Sequence, residues 1–304
     1  MSNEADQYVP GFTANLMLTP QQLTARLVGA VDADLSYTTP GKLFNADDID
    51  DDDEEVDVEG RAPPSPESYA NHLRRVGFLK SKAKGRFIES LDKVRMLTDP
   101  TDKIMAGMMA TKMRATDSRI IAAFNEPSNN GENGTTSVAF PSAQIIPVDN
   151  RDFIHDAEVL PGSGNLPLTI GKLIKAKVML DQSELEGERY FVASAVQLGN
   201  LLSSTAATSS DYAQVKALVN GETNTVQGFN FIRSERLPVA SNIRSCFAWV
   251  KGAMQYKERP IENARITQRA DRSYRWYAYY EVERGALRRY DNGVVQVNCS
   301  EVVF

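Results

Sequence analysis

The stretch from Ser36 to Ser90 sets the strongest limit on what this chain can fold into. From Asp47 to Glu59 it carries ten acidic residues and no basic one. Thr39-Pro40-Gly41 before the run and Pro63-Pro64-Ser65-Pro66 after it are turn formers, whose preferred backbone angles suit neither a helix interior nor a central strand. Neighbouring carboxylates repel, and they bring little apolar surface to offset the entropy lost on ordering. The segment therefore reads as a long projection, turn-forming or disordered, and not as a compact core element. Beyond it, Arg74-Arg75, Lys80, Lys82, Lys84 and Arg86 supply a basic counterpart. A projection with an acidic and a basic limb can pair with itself or with a neighbour.

The run also dominates the charge. Removing its ten negative charges from the net −6 leaves +4 on everything else. A chain of 304 residues is long enough for one large or two modest domains with a sizeable core. No stretch approaches the roughly twenty apolar residues that cross a bilayer, and Ser2-Asn3-Glu4-Ala5-Asp6 is unlike a signal peptide. A soluble protein, made in the cytoplasm and without membrane contact, is expected. Cys246 and Cys299 both lie in apolar, strand-like segments, which in that compartment means buried free thiols.

The chemistry of catalysis is sparse. His72 and His155 are the two histidines. His155 stands near Asp152 and Asp156, so a hydrolase using His155 with Ser163 as nucleophile is one alternative, but no strand-turn-helix elbow surrounds that serine. Neither histidine has a Cys or His at ligand spacing, and the acidic run lacks the spacing of a calcium loop. Glycine-rich phosphate loops do not occur. No catalytic residue, metal or cofactor is expected. Arg265, Arg269, Arg272 and Arg275 with Tyr274, Trp276, Tyr277 and Tyr279 could stack a single-stranded nucleic acid. Alternation instead puts Tyr274, Trp276, Ala278, Tyr280 and Val282 on one face of a strand, which favours core packing with arginines meeting other subunits.

Periodicity marks the rest. Met1 to Phe12 reads as an arm, and Thr19-Pro20 as the start of a short amphipathic helix with Leu23, Leu27 and Ala30. Asp99-Pro100 opens a helix with Met105, Met109, Met113, Thr116, Ile120 and Phe124 on its buried face. Thr169 caps another, with Ile170, Leu173, Ile174 and Val178 inward and Lys172 and Lys175 pointing elsewhere. Arg189–Ala193 reads as a strand, Ala195–Leu202 and Tyr212–Val219 as helices, and Thr225–Arg233 and Cys246–Val250 as strands. Asp291-Asn292-Gly293 supplies a turn before Val295, Val297 and Cys299.

In the last third, Gly228-Phe229-Asn230-Phe231-Ile232, Ser234 and Leu237-Pro238 precede Cys246 to Tyr256, Tyr274 to Val282, Gly285-Ala286-Leu287-Arg288 and Val294 to Val297. Earlier come Leu91-Asp92, Asp99-Pro100, Arg114, Asp117, Ile120-Ile121, Leu168-Thr169, Lys172-Leu173 to Leu180-Asp181, Arg189-Tyr190-Phe191-Val192 and Leu201-Leu202. In this order, over roughly Gln21 to Phe304, the chain resembles the major capsid proteins of tailed bacteriophages, whose fold is shared with herpesvirus shell floors and encapsulins.

The resemblance implies an α+β fold divided as an N-terminal arm at 1–35, an extended loop with an acidic insertion at 36–95, a peripheral domain at 96–199 and 271–287, and an axial domain at 200–270 and 288–304. The peripheral domain would hold a sheet and a long spine helix, matched here by the helix after Thr169. The implied function is self-assembly as hexamers and pentamers into an icosahedral shell around double-stranded DNA, in the virion capsid. Its expected partners are other copies of itself, a separate scaffolding protein, a portal protein, packaged DNA held weakly and a decoration or cement protein. A near-neutral body suits a lining that must not grip a polyanion. Candidate intersubunit contacts are Arg74, Arg75, Lys80, Lys82, Lys84, Arg86, Arg233, Arg236, Arg272 and Arg275, with structural turns at Gly221, Gly228, Gly285 and Gly293. An encapsulin-like compartment is the alternative on the same fold.

Overall fold

The computed structural model describes residues 21–50, 71–88, 101–150, 164–204, 211–221 and 223–301. Its strands in chain order are β1 Asp32–Asp34, β2 Leu43–Asp50, β3 Asn71–Phe78, β4 Lys80–Ile88, β5 Ser128–Asn130, β6 Thr136–Val138, β7 Ile145–Ile146, β8 Arg189–Ala193, β9 Thr225–Val226, β10 Phe229–Arg233, β11 Val239–Ala240, β12 Ile243–Val250, β13 Met254–Arg269, β14 Arg275–Arg288 and β15 Val294–Ser300. The helices are α1 Thr101–Asn125, α2 Ile170–Asp181, α3 Ala195–Ser204 and α4 Asp211–Asn220. The arm Met1 to Phe12, the caps Thr19-Pro20 and Asp99-Pro100, the acidic residues beyond Asp50, and His155 with Ser163 lie outside the described residues.

The chain forms two compact units. One is Met1–Ala25, Ser81–Ala115 and Pro260–Val282; the other is Arg26–Lys80, Thr116–Arg259 and Glu283–Phe304. In the first, Met108 of α1 packs with Ile88 of β4 and with Ala278, Tyr280 and Val282 of β14, bordered by Ile104, Met105, Ile266 and Trp276. The methionine stripe is thus corrected. Met108 is the buried one, while Met105, Met109 and Met113 are half-buried, because this end of the helix meets its sheet through 104, 105 and 108. Alternation in β14 runs from Trp276 to Val282, whereas Tyr274 precedes the strand and is exposed.

The second unit is built on a seven-stranded sheet in the order β7-β15-β12-β8-β10-β9, with β11 paired to β12. Continuous apolar runs such as Cys-Phe-Ala-Trp-Val at 246–250 form strands buried on both faces. Phe191, Phe229, Phe247 and Trp249 of the sheet meet Phe124, Leu173, Leu201 and Val215 of the helices in one core. Phe124 stacks on Phe247 with ring centroids 4.9 Å apart, and the Trp249 indole donates to Ala30 O at 2.8 Å. Burying each such aromatic contributes roughly 2–3 kcal/mol. Strand β8, grouped in sequence with a peripheral domain, pairs directly with β10 and β12, grouped with an axial one.

Four other expectations change here. Residues 21–27 form no helix and only a single 3-10 turn follows at Val28–Ala30; Asp117 accepts from the Arg26 and Leu27 backbone N–H groups at 3.0–3.1 Å, which ties that segment to α1. The helix matched to a long spine has 12 residues, whereas α1 has 25; α1 contains no proline before Pro127, so nothing stops it sooner. Thr225–Arg233 is two strands, split at Gln227-Gly228 where both residues take positive φ.

Lys172 is the fourth. Thr169 caps α2 by accepting from Lys172 N, and Leu173 is buried, but Val178 is exposed and Lys172 is wholly buried. The Lys172 ammonium donates to Val148 O, Leu166 O and Asn298 O, each at 2.9 Å. Val148 O and Leu166 O already accept from the backbone N–H groups of Leu166 and Ser300, each at 2.9 Å, so the ammonium serves their second lone pairs together with Asn298 O. Lys172→Ala would take a charge-assisted bond from each of the three and leave a cavity where the buried stem lay. It is expected to lower the unfolding free energy by roughly 3–5 kcal/mol in denaturant titrations.

Candidate assembly surfaces

The projection that sequence marks as uncompacted is partly a sheet. β2 and β3 pair antiparallel from Leu43↔Phe78 to Asp50↔Asn71, and β5 and β6 extend the sheet. Phe44 and Ala46 on one face of β2 pack with Leu79 and Leu287, and Val76 on the opposite face of the sheet is buried as well. Period-two alternation of Phe44 and Ala46 with Asn45 and Asp47 is present in the sequence. It was overridden there by the acids that follow.

The two limbs do pair with each other. Asp47 lies opposite Arg74 in register, and the Arg74 Nε donates to Asp47 Oδ1 at 2.5 Å. Arg75, on the other face, is half-buried; its guanidinium donates to Asp291 at 2.7 and 2.9 Å, to Ser128 Oγ at 3.1 Å and to Arg288 O at 3.0 Å. Asp48 takes a fork from Arg289, and Tyr290 donates to it at 3.1 Å. Hydrogen bonds from Arg289 and then Tyr290 outweigh burial and hold the Asp48 carboxyl below its usual range. Burial pushes Asp291 up, yet its bonds from Arg75 and Arg288 together prevail and lower it.

The remaining basic candidates divide. Lys84 is half-buried and donates to Thr111 Oγ1 at 2.8 Å; burial, with Arg114 and Arg86 nearby, moves its ammonium down. Lys80, Lys82, Arg86 and Arg272 are exposed. Arg275 is exposed at the start of β14. Arg233 caps the C-terminal carbonyls of α4, donating to Leu218 O and Val219 O at 2.6 and 3.0 Å. Arg236 donates to Ser118 Oγ at 3.3 Å. Within the first unit, Tyr277 and Tyr279 stack at 6.1 Å, Phe87 tilts on Tyr277 at 4.7 Å, and Arg269 lies over the Tyr277 ring at 5.3 Å. This Arg–Tyr face is open, with Ile261 exposed beside it.

Of the four glycines, Gly221 follows α4 with φ +81° and Gly228 has φ +83°, the left-handed region that favours glycine. Gly293 lies in the turn before β15, where an added Cβ would stand 2.5 Å from Ala253 Cβ. Gly285 is a correction: it sits inside β14, not at a turn. There the Phe44 ring lies so close that a Cβ would fall 2.5 Å from it and 2.7 Å from Phe78 O. Arg288 and Arg289 were missed as site residues. Two adjacent arginines at a strand end reach opposite faces, a signal the sequence did carry.

Among the described residues no group of three or more metal-ligating side chains gathers, and no helix is long and apolar enough to cross a membrane. The described surface offers a β2–β3 hairpin with paired charges and a set of exposed cations. Solved structures agree on the fold. The chain superposes on the capsid of Ralstonia phage GP4 with TM-score 0.73 and 9% identity, covering 99% of this chain and 97% of that one. For the cyanophage Pam1 capsid the values are 0.70, 12%, 99% and 98%, and for cyanophage P-SCSP1u 0.68, 13%, 98% and 94%. No curated protein sequence matches. The family model described as phage capsid protein matches residues 5–301. The chain belongs to that family.

The hairpin charges make a testable contrast. Asp48, Asp291 and also Glu301, which Arg244 holds low, are depressed carboxylates, so their contribution is full above the unfolded value near 4 and disappears as pH falls through the lowered folded values. Stability should be flat from pH 7 to about 5 and drop below about 4. Arg75→Ala should remove roughly 2–3 kcal/mol and flatten that drop, whereas Arg74→Ala should leave the denaturation midpoint in place.

Proposed function

We propose that the chain is the major capsid protein of a tailed phage, closing as hexamers and pentamers into an icosahedral shell around double-stranded DNA. The observation that carries this reading is the family match from residue 5 to residue 301, supported by fold likeness that spans nearly the whole of both chains. Many modest symmetric contacts acting together give a stable lattice from reversible encounters. A separate scaffolding protein, a portal, a decoration protein and loosely held DNA are the partners this role calls for, with synthesis in the host cytoplasm and residence in the virion capsid. We propose the peripheral and axial division, the arm and the extended loop as the parts that meet neighbours.

The pairing of Arg74 and Arg75 within the chain moves the expected contacts outward. Lys82, Arg86 and Arg272, exposed on the first unit, are the better candidates for neighbouring carboxylates, which would set register more than affinity. Electron microscopy of the expressed chain should show closed particles. Lys82→Glu with Arg86→Glu should cut particle yield about tenfold or more while the subunit melts as before; unchanged particles would remove these residues from the lattice. Because β2 and β3 are already closed at Asp50↔Asn71, deletion of Asp51 to Glu55 shortens a connection at little entropic expense and should leave soluble, folded protein, as circular dichroism would report.

A further inference from the structure

We propose that the cavity at the base of the β2–β3 hairpin binds a small oxyanion of the phosphate or sulfate class. The cavity has a volume of about 90 Å³ and is lined by Arg75, Lys80, Arg119 and Arg288, with Glu126 the one carboxylate among its described lining residues. That is space for several waters or one tetrahedral oxyanion. It lies within the second unit, and the inference does not depend on the shell reading.

The donors carry the argument. Arg119 Nη1 donates to Glu126 Oε2 at 2.6 Å and Nη2 to Ala286 O at 3.0 Å. Arg288 Nε donates to Asp291 Oδ1 at 2.5 Å, and Nη1 to Phe124 O and Glu126 O at 2.8 and 2.9 Å. These bonds fix both guanidinium planes. Each plane still holds one buried nitrogen with no acceptor in the protein, Arg119 Nε and Arg288 Nη2. The Arg288 side chain is completely shielded from solvent. Leaving such charged N–H groups unserved is unfavourable, and both side chains line the cavity, where a small shift of either guanidinium would let a ligand with several acceptor oxygens serve it.

Charge points the same way. Asp291 is shared by Arg75 and Arg288, and Glu126 is taken by Arg119. Two carboxylates therefore face four cations, leaving two positive charges for a dianion. The negative end of the α1 dipole also falls here, but its carbonyls Phe124 O and Glu126 O are already capped by Arg288. Lys80 is exposed at the rim, where it can close over an ion entering from solvent. A bound oxyanion would bridge the hairpin, the end of α1 and β14, stiffening the base from which the projection leaves.

Thermal melting and calorimetry of unassembled subunits test this, titrating sodium phosphate or sulfate against sodium chloride at constant ionic strength. The expected result is a saturable rise in Tm and one bound oxyanion per chain, without a matching effect of chloride. Arg119→Gln should weaken that binding about tenfold or more, and Lys80→Gln, at an exposed position that leaves folding intact, severalfold. Equal responses to chloride and phosphate, or phosphate binding unchanged in Lys80→Gln and in any folded Arg119→Gln protein, would overturn the proposal. Particle formation is scored separately in the same preparations, so failure of the shell reading and failure of this site remain distinguishable.

Discussion

Arg288 holds the described second unit together at one point. Its buried guanidinium caps the last carbonyls of α1, pairs with Asp291 and lies over the Phe140 ring at 4.8 Å. Asp291 in turn anchors Arg75 of the hairpin. A charge taken out of water costs several kcal/mol and is tolerated only where partners surround it. Burial accordingly draws the Arg288 guanidinium down from its ordinary value, against the pull of Asp291. Helix end, strand end, turn and hairpin are thereby linked through one side chain and its partner Asp291.

Lys172 repeats the logic elsewhere. Both residues are long cations with apolar stems that donate to backbone carbonyls from separate parts of the chain. This separates Arg75, Arg288 and Lys172, which bond within the subunit, from Lys82, Arg86 and Arg272, which are exposed.

Much of this was legible in the sequence. Thr169 announced a cap, the 246–250 run announced a central strand, and alternation announced β14 from Trp276 to Val282. The two cysteines are buried and free, on the paired strands β12 and β15. The order of such pieces carried the family resemblance, which the match over residues 5–301 establishes. The basic candidates were legible only as a set; charge alone cannot tell a lysine that meets a neighbour from an arginine that pairs across a hairpin.

By itself, then, the sequence determined many of the helices and strands, though not those of the hairpin, and the family to which their order belongs, because local periodicity and turn chemistry act over a few residues. Tertiary structure alone decided that Lys172 points inward, that Gly285 lies in a strand under Phe44, and that Asp47 and Asp48 are paired and not free. Each of these depends on atoms brought together from distant parts of the chain. Residues 48 and 289, or 172 and 298, carry no mark of one another until the backbone between them has folded.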